Sequence, residues 1–211
     1  MSKMSLLAGF ALACLCGAVI FIVYSNNLIS GGKSMNKKVL FILMPEGYQD
    51  LEFNVPYQTL QAKGCGVDVS GLQQGVAKGC LGGSFTPNVL LDNLSTSDFD
   101  KYDAVVIPGG PGSVQYLWGN KKVQNVVKYF NSKGKVVAAI CYAVIVPVQA
   151  GILKNKKATV FPTDEAKAIL KTCGVEFVDN GYVTLKSDKI ITAQGPKFAN
   201  EFADEIVKML S

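Results

Sequence analysis

The sequence predicts an α/β fold built on a mostly parallel sheet with helices on both faces. Two observations carry this. Val39–Met44, Ala104–Ile107 and Val136–Ile140 are continuous apolar runs without alternation, the pattern of strands buried on both faces. Such runs alternate along the chain with helix-like segments, which is the order of a parallel sheet with crossover helices.

In chain order, Val39–Met44 is the first strand. Asn54–Lys63 reads as a helix, with Asn54 as its cap, Pro56 in its first turn and Gly64 after its end. Val67–Leu72 is the second strand. Gln73–Asn88 is rich in glycine and reads as a loop or hairpin excursion. Ala104–Ile107 is a strand running into Pro108-Gly109-Gly110-Pro111-Gly112. Lys121–Asn131 is an amphipathic helix closed by "SKGK", and Val136–Ile140 is the next strand. Ala143–Ala150 reads as a helix that Pro147 distorts. Thr163 caps a helix through Lys171, with Asp164 and Glu165 in its first turn. "EFVDNGYVTL" and "KIITA" read as strands around an Asn180-Gly181 turn, and Phe198–Leu210 as a closing amphipathic helix.

The chain divides into three parts: an apolar segment over residues 1–24, a polar linker over 25–36, and the α/β domain over 37–211. Leu6–Val23 is uncharged, and as a helix it reaches about 27 Å, close to the hydrocarbon thickness of a bilayer. This favours an uncleaved single-span anchor over residues 6–23. Lysines on the two sides of the segment favour, by the positive-inside bias, a cytoplasmic domain. Two alternatives stand beside it: a signal peptide with an exported domain, or translation from Met35 giving a cytoplasmic protein.

Composition excludes several kinds of chemistry. The 211 residues contain no histidine, and all 21 basic residues are lysines. Imidazole acid–base chemistry and bidentate guanidinium clamps are therefore absent from the chain. The net charge of +5 is scattered, which argues against a nucleic-acid partner. The cysteines Cys14, Cys16, Cys65, Cys80, Cys141 and Cys173 form no C-x-x-C pair, so no metal site or cofactor is expected. Free thiols in a reducing compartment are the simplest reading, with a Cys65–Cys80 bridge open if the domain is exported.

In parallel α/β sheets the active crevice lies at the carboxyl ends of the strands. "LFILMPEGYQDLEF", "AVVIPGGPG" and "VVAAICYA" all end there. Cys141 sits between a strand and a helix. It is either a small core hydrophobe or a nucleophile lifted on the turn, its thiol acidified by the helix N-terminus. The backbone N–H groups of Gly110 and Tyr142 are candidate oxyanion donors. Glu46 and Asp50 read as solvated. Glu52, between Leu51 and Phe53, is a candidate carboxyl kept protonated by apolar surroundings and able to donate to a thiolate. Trp118 reads as a packing anchor beside the crevice.

Residues 37–211 resemble the PfpI superfamily, which includes the parkinsonism-associated deglycase DJ-one. The resemblance runs through "KKVLFILMPEGYQDLEFNVPYQTLQAKG", "YDAVVIPGGPGSVQYL", "NSKGKVVAAICYAVIVPVQAGILKNKKAT" and "IITAQGP". It implies a flavodoxin-like three-layer sandwich and a homo-oligomer. It matches Cys141 to the elbow cysteine, Glu52 to its partner acid, and Gly110 with Tyr142 to the oxyanion donors. Two positions depart from it. Tyr142 stands where protease-like members carry histidine, and Phe161 stands where deglycase-like members carry one. Ala193-Gln194-Gly195-Pro196 also lacks the basic group of the relatives' "SRGP"-like segment. A Cys-His peptidase is thereby disfavoured. Three readings remain: cysteine-dependent chemistry on a small carbonyl or amide, a redox-sensing thiol in a stress response, and a scaffold without catalysis.

Overall fold

A computed structural model describes residues 34–211. Seven strands form the central sheet: β1 (Lys38–Leu43), β2 (Gly66–Gly71), β3 (Val89–Leu90), β4 (Ala104–Ile107), β5 (Val136–Ile140), β6 (Tyr182–Leu185) and β7 (Ile190–Ala193). Their order is β6-β7-β5-β4-β1-β2-β3, and every pairing is parallel except β6 with β7. All residues of β4 and β5 are buried, and so is all of β1 after Lys38. That burial explains why their sequences show no alternation.

Six helices complete the domain: α1 (Asp50–Ala62), α2 (Ser113–Tyr116), α3 (Lys121–Ser132), α4 (Ile145–Gln149), α5 (Asp164–Thr172) and α6 (Ala199–Leu210). Helix α1 packs on α6, and α3 packs on α4 and on strands β4 and β5. Helices α3 and α5 start where their caps dictate. The Asn120 side chain accepts from the N–H groups of Lys122 and Val123, and Thr163 accepts from that of Ala166.

Several local expectations change. Helix α1 begins four residues before Asn54, because the Gln49 side chain caps it by accepting from Leu51 N–H (2.6 Å) and Glu52 N–H (3.1 Å). Pro56 therefore lies inside the helix and leaves the Glu52 carbonyl without its intrahelical donor. The glycine-rich excursion does form a hairpin, as expected: Ala77–Gly79 and Ser84–Phe85 pair antiparallel and join Glu46–Tyr48 in a small sheet. Asn180-Gly181 is not the hairpin turn. Glu176–Phe177 instead pairs with Lys157–Ala158, and the β6–β7 turn falls at Lys186–Lys189. Cys65 and Cys80 are both free, the first buried and the second exposed, so no bridge joins them.

The membrane expectation is corrected. The longest described helix has 13 residues, about 20 Å of rise against a bilayer core of about 30 Å. Among the described residues no helix is long and apolar enough to cross a membrane. Residues 6–23, on which an anchored protein with a cytoplasmic domain was expected, lie outside the described residues, as does the expected linker up to Lys33.

Candidate functional site

The sheet's register builds the site. Strands β4 and β5 pair with Ile107 opposite Ala139, so Gly109 and Cys141 leave the sheet at the same level, two residues further on. Strand β1 lies on the other side of β4, and its exit leads through Glu46–Tyr48 into α1. The chain crosses to β2 on one side of β1 and to β4 on the other. The crevice at this switch point gathers the three strand ends.

Cys141 has a φ of 59°, one of three non-glycine residues in the left-handed region among those described. It opens a 3₁₀ turn, Cys141–Val144, ahead of the five-residue helix α4. That strained backbone is the elbow expected between strand and helix. The residue is only 5% exposed. Gly109 must be glycine here, because a Cβ would lie 2.6 Å from the Ile140 carbonyl oxygen and 2.8 Å from Cys141 Cβ. Gly110 needs its freedom for a second reason, a φ of 121°.

Glu52 is fully buried in the first turn of α1. Its Oε2 accepts the Gly109 N–H at 2.9 Å. Its Oε1 has no hydrogen-bond partner among the described residues. Burial raises the carboxyl from 4.5 to about 8, against smaller lowering effects from the Cys141 thiol and the Gly109 N–H. Of the two apolar neighbours in sequence, Leu51 is 48% exposed and Phe53 is fully buried. Gly109 and Gly195, from distant segments, also lie against the carboxyl.

The Cys141 thiol is pushed well above its ordinary value, first by burial and then by the Glu52 carboxylate, while the N–H groups of Tyr142 and Gly110 pull it down. This corrects the expectation of a thiol acidified by a helix N-terminus. The elbow leads into a 3₁₀ turn and a helix of five residues, whose aligned dipoles are too few to offset desolvation. The order of ionisation is also reversed from expectation: the carboxyl loses its proton before the thiol does. In the resting site the Gly110 and Tyr142 N–H groups face the sulfur.

The cleft above these groups holds about 180 Å³ and is walled by Gln49, Pro111, Tyr142, Phe161 and Pro196. Tyr142 meets Trp118 and Phe161 edge to face, at centroid distances of 5.8 and 5.3 Å. Trp118 Nε1–H donates to the Tyr142 carbonyl at 2.9 Å. Thus Cys141, Glu52, Gly110 and Tyr142 are gathered in one place, and Trp118 braces it. Glu46 is exposed as expected. Asp50 is not: it is buried, and its carboxylate accepts from the N–H groups of Leu81 (2.8 Å) and Gly83 (2.7 Å). Gln49 escaped notice because glutamine is an uncommon cap. A glycine-rich segment that needed an acceptor was the signal for Asp50.

Comparison with known proteins agrees with this architecture. The sequence model of the DJ-1/PfpI family matches residues 37–209. An uncharacterized protein of Methanocaldococcus jannaschii is 39% identical over 83% of this chain and 83% of its own. A deglycase of Pyrococcus horikoshii is 31% identical over 82% of this chain and 99% of its own. The crystal structure of a ThiJ/PfpI domain protein from Brachyspira murdochii superimposes with a TM-score of 0.75 at 26% identity, covering 83% of this chain and 96% of that one. With strand order, elbow and sequence in agreement, the chain belongs to the DJ-1/PfpI family.

Proposed function

We propose that this protein carries out cysteine-dependent chemistry on a small carbonyl compound, of the deglycase or glyoxalase kind. The observation that carries the reading is the buried pairing of Cys141 with Glu52 beneath a cleft, on a strained elbow. Relatives named as deglycases support a role of this broad kind. The redox-sensor alternative draws less support, because sensor thiols are acidic and burial raises this one.

The reactive form has lost one proton from the pair. The Glu52 carboxylate takes the Cys141 proton as sulfur adds to the carbonyl carbon. The S–C bond forms, the carbonyl π pair moves onto oxygen, and the Gly110 and Tyr142 N–H groups are near enough to follow the charge. Glu52 then returns the proton to that oxygen, leaving a neutral hemithioacetal. For a 2-oxoaldehyde, transfer of the C1 hydrogen to C2 and of the C1 hydroxyl proton to the C2 oxygen turns the hemithioacetal into a 2-hydroxy thioester. Water hydrolyses this to a 2-hydroxy acid and the free thiol.

Methylglyoxal consumption by wild type and Cys141→Ser tests the reading. Wild type should turn it over with kcat/KM rising through about pH 8. Cys141→Ser should be at least about 100-fold slower. Equal rates in the two proteins would remove the cysteine from the reaction and the proposal with it.

A further inference from the structure

We infer that the substrate carries an uncharged, aryl-sized apolar tail, which lies in a trough continuing the cleft. This rests on the cysteine chemistry proposed above and names its substrate class. The cleft over Cys141 holds about 180 Å³, below the roughly 300 Å³ at which small-molecule sites begin. It has room for a reacting carbonyl and little else. A second hollow of about 320 Å³ adjoins it and shares Phe161 and Pro196 with its wall.

The walls of this trough are apolar: Phe161, Pro162, Gly195, Pro196 and Phe198. Phe161 is 40% exposed, one of few large apolar side chains left uncovered among the described residues. The trough's two polar side chains offer little to a ligand. The Gln194 amide already donates to Asp179 Oδ1 at 2.7 Å. The exposed Lys197 ammonium rests over the Phe198 ring, 5.6 Å from its centroid.

The junction between the two hollows lies beside the unpartnered Glu52 oxygen. A Cβ on Gly195 would stand 3.4 Å from Phe161 Cδ2 and 3.8 Å from Glu52 Oε1. Gly195 has a φ of 167°, extended backbone open to any residue. The absence of a side chain there therefore keeps a passage open and relieves no strain. A carbonyl held over Cys141 and Glu52 would direct its substituent through this gap, between Phe161 and Phe198.

Phenylglyoxal and methylglyoxal share the reacting 2-oxoaldehyde and differ only in the tail. The chain has no arginine, so phenylglyoxal is not consumed by guanidinium groups. The experiment measures kcat/KM for both aldehydes, each normalised to its rate with a free thiol, in wild type, Gly195→Ala and Phe198→Ala, with thermal melts to verify folding. Burial of the ring predicts a wild-type preference for phenylglyoxal of at least about tenfold. Both variants should bring that ratio towards one. A wild-type ratio near one, or a preference that survives both substitutions, overturns the tail site while leaving the cysteine chemistry standing. If wild type turns over neither aldehyde, the cysteine reading falls, and the tail site falls with it.

Discussion

The indole N–H of Trp118 is hydrogen-bonded at 2.9 Å to the carbonyl of Tyr142, the residue directly after Cys141. Trp118 lies just beyond α2, so a segment following β4 braces the turn that follows β5. The same indole meets the Tyr142 ring edge to face, and Tyr142 in turn meets Phe161. The wall of the cleft is thus tied to the backbone of the elbow.

Trp118→Phe keeps an aromatic ring and removes the donor. It should cost about 1 kcal/mol of stability, measured by urea denaturation. If the bond positions the elbow, kcat should fall several-fold with KM little changed. A stability loss with unaltered kcat would reduce Trp118 to packing.

Glu52 makes the fold sensitive to pH. Its folded value of about 8 lies above the ordinary 4.5, so between these values the folded state holds a proton that the unfolded state has released. The contribution of Glu52 to stability is therefore complete below about pH 4.5. It falls as pH rises towards 8, by up to about 1.4 kcal/mol per pH unit. Glu52→Gln removes this dependence. The variant should melt higher than wild type at pH 8 and with a smaller advantage at pH 5, while losing about 10²-fold or more in kcat/KM. A constant difference in melting temperature between the two pH values would contradict the raised carboxyl.

The elbow stores strain at Cys141, whose φ is 59°. Cys141→Gly and Cys141→Ala both delete the sulfur, and they differ in tolerance of that conformation. Glycine should be the more stable by about 1 kcal/mol in chemical denaturation. Alanine equal to or better than glycine would mean that the turn relaxes.

Asp50 holds the loop over residues 79–83 through two charge-assisted bonds to Leu81 and Gly83 N–H groups. Gly79 and Gly83 lie so close to this carboxylate that a Cβ on either would overlap it. Asp50→Ala should cost about 2–3 kcal/mol and expose the loop to limited proteolysis. Wild-type resistance to protease in the variant would assign the loop's order to its own strands.

What the sequence determined by itself was local or periodic. Uninterrupted apolar runs identified β1, β4 and β5, because a strand covered on both faces needs no polar positions. Thr163 announced α5, since a capping hydroxyl acts within three residues of itself. Cys141 was marked as an elbow by its place at the end of a buried strand. The protonation of the site was decided by tertiary structure alone. Glu52 comes from α1, Gly109 from the end of β4, and Phe161 and Pro196 from later loops. Their convergence strips water from the sulfur and the carboxyl together. The same holds for Asp50, whose partners lie more than 30 positions away. A charge is read from the sequence, but its energy depends on what the fold places around it.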